Sequence, residues 1–498
     1  MPRLAHTATA AKRSPLLEPT RATPLGTGHR SPIIGLLGLS LLISALGRPA
    51  TPESAAPPWL DRPLTVADCL NLAFDQNAEV RKSRQDLEAT HGVMAQTRAI
   101  VWPKLRAAGD YGLVEEQAVD RYELPINVPG VPSPLGIDPG TQRWAAGVRI
   151  IQSFYEGGRM TSALRTARLL REQAVARHMA VLSDTATDVR VAYYNVLLAQ
   201  QEVRVSEASV ELLEKELEDS QRRFTAGTVP RFNVLRAEVE LANARPRVSR
   251  ARNAYRITRE ILVQQLGYAV PQEMGGEIPL QLVDTLDVPH LELDVTTAVR
   301  LAKERRPELV ALRKNEALRQ EDVQGARAGR RPRLEGYAGY GVRKSNFSSD
   351  VDDEVHGWEV GVQAVWNLFD GHLTRGKIQE AQALLEKSQI ETDDVSRKIE
   401  LEVRSACSTL VEAWEVLESQ RKVLEQADEA LRLARARADA GTGTQLDVLG
   451  AQTALTDART TDIRARRDYA VARARVERAT GASVPDVNAS PGIQAKPE

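Results

Sequence analysis

The sequence predicts a mainly α-helical chain that also carries bilayer-length β-strands. It is built as two tandem repeats of helix, strand, strand and helix. Three observations lead there: an internal duplication, four segments that alternate apolar and polar residues, and two long heptad runs. The duplication comes first because it organises the rest. Leu64-Thr65-Val66 opens a helical segment that ends near Asn77, and Leu293-Asp294-Val295 opens its twin 229 residues later. At that offset Pro103 matches Pro332, Leu105 matches Leu334 and Tyr111 matches Tyr340. The offset then falls to 214, pairing Trp144 with Trp358, Gly147 with Gly361, Gly157 with Gly371, Gly227 with Gly441 and Leu235 with Leu449. A single change of offset inside one loop is what duplication followed by loop trimming leaves.

Each repeat begins with a short helix and a medium one, near 78–101 and 307–330, which Pro103 and Pro332 bring to a stop. Two strands follow. Leu105, Ala107, Gly109, Tyr111 and Leu113 alternate with Arg106, Ala108, Asp110 and Gly112; Trp144, Ala146, Val148 and Ile150 alternate with Ala145, Gly147, Arg149 and Ile151. In the second repeat Leu334, Gly336, Ala338, Tyr340 and Val342 alternate with Glu335, Tyr337, Gly339, Gly341 and Arg343, and Trp358, Val360, Val362, Ala364 and Trp366 with Glu359, Gly361, Gln363 and Val365. Alternation over ~10 residues suits a strand with one face to lipid and one to water. It assigns Trp144, Val148, Trp358 and Val362 to lipid, and Arg106, Asp110, Arg149, Glu335 and Gln363 to an aqueous lumen. The loops between paired strands are Pro-rich (Pro125, Pro129, Pro132, Pro134, Pro139) or acidic (Asp350, Asp352, Asp353, Glu354), which reads as exposed, irregular chain.

The long helices carry the heptads. Val189, Val196, Val203, Val210, Leu217 and Phe224 recur every seven residues, with Ala192, Ala199, Ser206, Leu213 and Ser220 between them. The second series is Val403, Leu410, Leu417, Leu424, Leu431 and Ala438, with Ala406, Ala413, Gln420, Ala427 and Ala434. Sustained heptads with small alternate residues predict coiled-coil packing. Gly158 to Ala226 makes about 100 Å of helix, and the return helix from Phe232 to Leu266 covers half of that, so the medium helix must supply the rest. Four strands cannot close a membrane barrel, since the smallest have about eight and an open edge in lipid leaves backbone groups unpaired. Strands that span a membrane therefore require an oligomer, whose number hydrogen bonding alone does not fix.

Composition removes other classes. Lys+Arg is 66 against Asp+Glu 67, so no global charge favours nucleic acid. The Arg464-Ala465-Arg466-Arg467 and Arg473-Ala474-Arg475 stretches, with Asp468 and Glu477 nearby, read as a solvated helix face. None of the seven histidines stands at metal-ligand spacing, and no phosphate loop or nucleophile elbow occurs, so neither an enzyme nor a cofactor is expected. Cys69 and Cys407 read as two buried thiols. Residues 1–47, with the apolar run Ile33 to Leu46 behind Arg3, Lys12, Arg13, Arg21 and Arg30, read as a secretory signal and leader. The expected segments are then a linker at 48–63, the first repeat at 64–267, a connection at 268–292, the second repeat at 293–481 and a tail at 482–498.

The stretches LTVADCLNLAFDQNAEV, WPKLRAAGDYG, GVRIIQSFYEGGR and AGTVPRFNVLRAEVELANAR, and RPRLEGYAGYG, GVQAVWNLFDG and AGTGTQLDVLGAQTAL in the second half, resemble the TolC-like outer-membrane efflux protein family. The resemblance implies a homotrimer in which four strands per chain close one twelve-stranded outer-membrane β-barrel, continued by a long α-helical coiled-coil barrel in the periplasm. It implies a collar from the segments near 267–292 and after Gly481. It also implies partners: a periplasmic adaptor (membrane fusion) protein, through it an inner-membrane pump, and outer-membrane lipid. The function implied is an exit duct for efflux or type I secretion. By motif match the adaptor-contacting tips are Ala226-Gly227-Thr228 and Ala440-Gly441-Thr442, with the glycines at positive φ. Asp447 matches an acidic ring position at the tunnel's closed end, Asn233 being its neutral counterpart; its other reading is a helix cap. Gly450 and Gly443 depart from the family's type member, which has a second acidic residue and a basic gate residue there. The competing class is a soluble periplasmic coiled-coil or adaptor protein. It would leave Trp144, Val148, Trp358 and Val362 without a reason to alternate. Replacing Val148 by Arg should therefore cost ~2–4 kcal/mol at mid-membrane and reduce the assembled fraction in membrane extracts; normal assembly would reverse the facing.

Overall fold

A computed structural model describes residues 62–119, 122–124, 129, 135–268, 278 and 280–482. The expected leader at 1–47, most of the linker and the tail beyond 482 lie outside the described residues. The first half contains α1 (Val66–Gln76), α2 (Ala78–Arg98), β1 (Lys104–Leu113), β2 (Tyr122–Leu124), β3 (Leu135–Ile137), β4 (Gln142–Glu156), α3 (Arg159–Thr225) and α4 (Arg231–Gln265). The second contains α5 (Val295–Arg305), α6 (Pro307–Arg327), β5 (Arg333–Lys344), β6 (Glu354–Val365), α7 (Leu373–Asp439) and α8 (Gln445–Ala479). Helices α5 and α6 begin and end 229 residues after α1 and α2, and α7 and α8 begin and end 214 residues after α3 and α4.

Local chemistry sets these bounds. Thr65 caps α1 in a capping box: its hydroxyl accepts from the Asp68 amide at 3.2 Å, while the Asp68 carboxylate accepts from the Thr65 amide at 3.1 Å. At the matching start of α5 the two residue types are exchanged, and Asp294 accepts from the Thr297 amide at 2.8 Å. Asn77 separates α1 from α2, accepting from the Glu79 amide at 2.8 Å and donating to the Gln265 carbonyl at 2.7 Å. The sharp entry into α3 places Gly157 and Gly158 at φ +66° and +99°. The equivalents are Gly371 at +64° and His372 at +71°, the latter a non-glycine in left-handed conformation.

The strands form one antiparallel sheet in the order β1-β4-β5-β6, so β4 and β5 join the two halves. Helix α3 lies at the centre of the bundle, packed against α2, α4, α6 and α8, while α7 packs on α5, α6 and α8. The heptad residues form the seams: Val189 and Val196 are buried in one core cluster, Val403, Leu410 and Leu417 in two others, and Leu431 near the tip. At the waist the segment before α5 is pinned from both halves. Tyr193 donates to the Leu64 carbonyl at 3.0 Å and also reaches the Asp284 carboxylate at 3.0 Å, while Tyr469 accepts from the Leu291 amide at 2.9 Å. Both cysteines are free and buried, and burial pushes the Cys69 thiol up to about 12.

Three expectations change. Helices α2 and α6 stop at Arg98 and Arg327, about a turn short of the prolines, because the residue before Pro is driven out of helical conformation and the preceding residues tighten instead. The loop after β1 is not irregular throughout: β2 and β3 pair as a short hairpin. The acidic loop also folds back on its neighbour, the buried Lys344 donating to the Pro139 carbonyl at 2.7 Å. Finally, the arginines of α8 are not all on a solvated face: Arg464 and Arg475 are exposed, while Arg466, Arg467 and Arg473 are half-buried. Arg464 reaches Glu202 of α3 at 2.8 Å, half-buried Arg466 pairs with Asp462 at 2.7 Å, and Arg473 pairs with Glu477 at 3.1 Å.

The densest tie joins α3, α6, α7 and α8. Arg306, only 4% exposed, bridges Glu308 at 3.0 Å and Glu402 at 2.9 Å; Arg478 bridges Asp184, Glu402 and Glu308. Burial alone would raise the Glu308 pKa, but hydrogen bonds from Arg306 and the charges of Arg306 and Arg478 bring it below the ordinary value. Its contribution to stability is therefore present above the ordinary carboxylate range and is lost as pH falls through the depressed value. Replacing Arg306 by Met should leave Glu308 and Glu402 to Arg478 alone and cost about 1–2 kcal/mol, Glu402 being half exposed, seen as a lower thermal midpoint in detergent. Gly267, at φ +88°, has no room for a Cβ, which would fall on the Gln76 carbonyl. Gly267→Ala should lower the midpoint too, by ~1–3 kcal/mol.

Candidate functional site

The sheet has two chemically opposite faces. Cα partners place Arg106 opposite Arg149, Arg149 opposite Gly339 and Gly339 opposite Glu359, so these positions share one face. Asp110, Arg143, Glu335, Arg343 and Gln363 fall on it too. Across that face Arg149 donates to Glu359 at 2.8 Å and lies 4.5 Å over the Tyr337 ring. Gly361 leaves the space that the Tyr337 ring fills. The opposite face carries Leu105, Tyr111, Val148, Ile150, Tyr340, Trp358, Val360 and Val362, all exposed, Trp358 at 78% and Val362 at 66%. Trp144 shares it, half-buried, its indole N–H donating to the Val351 carbonyl at 3.1 Å. Soluble proteins rarely leave so continuous an apolar patch open.

Exposed Trp102, Phe154, Trp366 and Phe369 gather at the other end of the strands. Trp358 and Trp366 are about 27 Å apart along an extended strand at 3.4 Å per residue, close to the height of an apolar membrane band. Sequence reasoning missed Trp102, Phe154 and Phe369. The signal was there in the aromatic residues bracketing each strand, at one end of the alternation.

Far from the sheet, the two tips close by the same turn. Gly227 and Gly441 both sit at φ +74°, and the amides of Thr228 and Thr442 donate back to the carbonyls of Arg223 and Arg437, each at 3.0 Å. The return helices then start differently. Pro230 opens α4 with no side-chain cap, so Asn233 has no capping role. Thr444 opens α8 in a capping box with Asp447, whose carboxylate accepts from the Thr444 amide at 3.0 Å and from its hydroxyl at 2.7 Å. Hydrogen bonds from the Thr444 side chain and backbone hold the Asp447 pKa below the usual value. Gly443 has a packing reason: a Cβ there would lie 2.9 Å from that of Arg437. A side chain at this point has no space in this turn. Gly450, by contrast, faces open space.

Between the tips runs a groove of about 940 Å³ whose lining includes Lys215, Asp219, Arg223, Arg435 and Asp439. Phe232 and Leu446, equivalent positions in the first turns of α4 and α8, stand 65% and 51% exposed beside it. Neither was singled out from sequence, although both are apolar residues directly after a turn. Among the described residues no cluster of His, Cys, Asp or Glu could hold a metal ion, and no helix is long and apolar enough to cross a membrane. Removing the Thr444 cap with Thr444→Ala should cost ~1 kcal/mol and increase amide hydrogen exchange in the first turn of α8. Because the Asp447 pKa is depressed, the wild-type cap should hold above the ordinary carboxylate range and fail as pH falls through the depressed value.

Comparison with known proteins agrees with this geometry. The chain is 25% identical over 430 residues to the alkaline protease secretion protein AprF of Pseudomonas aeruginosa, covering 83% of each chain. It is 22% identical over 439 residues to the outer membrane protein TolC of Escherichia coli, covering 84% of this chain and 83% of that one. Among solved structures, the CmeC outer membrane channel of Campylobacter jejuni shares the fold with a TM-score of 0.69 at 14% identity, over 84% of this chain and 86% of that one. The family model described as outer membrane efflux protein matches residues 69–268 and 298–482, nearly the whole of both halves. The chain belongs to the outer membrane efflux protein family.

Proposed function

We propose that three copies of this chain form an outer-membrane exit duct serving a tripartite efflux or type I secretion system. One observation carries this reading: a single sheet with one apolar face, one charged face and two open edges stands at the end of a helical bundle about 100 Å long. Twelve strands from three chains close the edges. The apolar face with Trp144, Val148, Trp358 and Val362 then meets lipid, and Arg106, Asp110, Arg149, Glu335 and Gln363 line the lumen. The helices enclose a periplasmic tunnel. Nothing in such a duct needs bond-making chemistry; water, width and fixed charge set what passes, and energy comes from an inner-membrane pump.

The tips Ala226-Gly227-Thr228 and Ala440-Gly441-Thr442, with exposed Phe232 and Leu446, form the surface for a periplasmic adaptor protein. Apolar side chains beside a charged groove suit a helical-hairpin partner. Three copies of Asp447, each tied by its cap, bring carboxylates to the tunnel's narrow end, with Asn233 between them. They favour cations there. A soluble coiled-coil protein is the alternative, and the open face around Trp358 opposes it.

Native mass spectrometry of the detergent-extracted membrane fraction should give the mass of three protomers, and planar bilayers should then show conductance. A monomer absent from membranes would end this reading. Asp447→Asn should reduce cation preference in the reversal potential; an unchanged potential would remove Asp447 from the pore while leaving its cap role.

A further inference from the structure

Because the two repeats share one plan, every contact between them inside the chain has an empty counterpart on its outer flanks. Inside the chain α3 meets α6 and α8. Its equivalent, α7, has no second pair of helices beyond α6 and α8, and α2 and α4, the equivalents of α6 and α8, pack only on the α3 side. Burial records the missing cover. Leu449 and Val471 on α8 are 4% exposed each, while Leu235 and Ile257, at the same positions of α4, are 48% and 45% exposed. On the other flank Val416 and Val423 of α7, equivalent to Glu202 and Ser209 on the α8-facing side of α3, are 44% and 41% exposed.

We infer that these flanks meet between copies in the register of the internal joint, with Lys398 of one chain paired to Glu79 of the next. This deepens the proposed oligomer and rests on it. The charges single out the pair. At the internal joint Asp184 of α3 and Glu308 of α6 are two acids, held together because Arg478 of α8 reaches both. Their equivalents on the open flanks are Lys398 on α7, Glu79 on α2 and Gln264 on α4. The bridging arginine is replaced by a neutral amide, and at the same joint one acid is replaced by a lysine. A lysine and a glutamate need no bridge. All three side chains are exposed in the single chain, where Lys398 and Glu79 make only local pairs with Asp394 and Lys82. The sheet obeys the same rule. Applying the repeat offsets to the β4–β5 register sets Val362 of β6 opposite Tyr111 of the next β1, and both belong to the apolar face.

The seam between copies is therefore ionically lighter than the joint within a chain. It has one Lys–Glu contact where the internal joint has Arg478 tied to Asp184 of α3 and, at the same point, to Glu308 and Glu402.

The test is zero-length carbodiimide coupling of the wild-type protein in detergent, with the oligomer mass measured natively in parallel and coupled peptides identified by mass spectrometry. The expected result is a Lys398–Glu79 amide found only in species of two or more chains, since α7 and α2 of one chain do not pack together. A second arm uses Lys398→Cys with Glu79→Cys, expected to give disulfide-linked dimers and trimers on non-reducing gels. The native thiols are buried and the single-cysteine variants serve as controls. Lys398→Glu alone should lower the trimer fraction several-fold, and Lys398→Glu combined with Glu79→Lys should restore it. An oligomer of normal mass with no coupling at these positions overturns the register and leaves the duct standing. A wild-type chain that is monomeric overturns both.

Discussion

Inside a hydrocarbon layer every backbone N–H and C=O has to find its partner within protein. The β1-β4-β5-β6 sheet meets this along three strand pairs and leaves the outer sides of β1 and β6 unpaired. An edge of this kind is a template for another strand. Because the faces are segregated, the strand that fits it must present apolar residues on the Trp358 side and charge on the Arg149 side. The chain's own repeat supplies such a strand. Edge satisfaction, facing and duplication are one constraint seen at three scales.

The helical part answers a different requirement, that of length. A helix of 67 residues has no tertiary neighbour of equal length. It is covered in two stages, by α2 and α6 near the sheet and by α4 and α8 towards the tips. The weak point of such a design is where one covering helix ends and the next begins. There the chain concentrates its waist: Tyr193 and Tyr469 hold the segment before α5, and Arg306 and Arg478 tie four helices through shared carboxylates. A cluster built around the buried Arg306 is costly to break and fixes one arrangement among several similar ones. In a molecule whose two halves are nearly interchangeable, it makes the halves distinct.

The tips show how small departures between repeats are put to use. Both turns need a glycine at positive φ, and both have one. After that the first relies on the fixed backbone of Pro230, and the second on reciprocal hydrogen bonds between Thr444 and Asp447. One carboxylate thereby stabilises its own helix start and stands at the end of the bundle, so its cap function and any electrostatic function share one residue. Phe232 and Leu446 remain uncovered beside them.

The sequence alone determined whatever is periodic or local: the repeat offsets that coincide with the helix bounds, the heptad seams, the alternation of the strands, the glycine turns and the two buried thiols. The offsets come from laying the chain on itself; the rest follow from spacings of two, three and seven residues and from single-residue backbone preferences, so they can be read within a short window. What needed tertiary structure were the partners. That α3 rather than α7 is central, that Arg464 reaches Glu202 of α3 and Arg466 reaches Asp287, that Arg306 is buried, that the loop after β1 holds a hairpin, and that Gly443 is excluded from bearing a side chain by Arg437 all depend on residues brought together by the fold. An arginine on a helix looks the same in sequence whether water or a carboxylate from 262 residues away lies beside it. The carboxylate comes within reach only once the chain has packed.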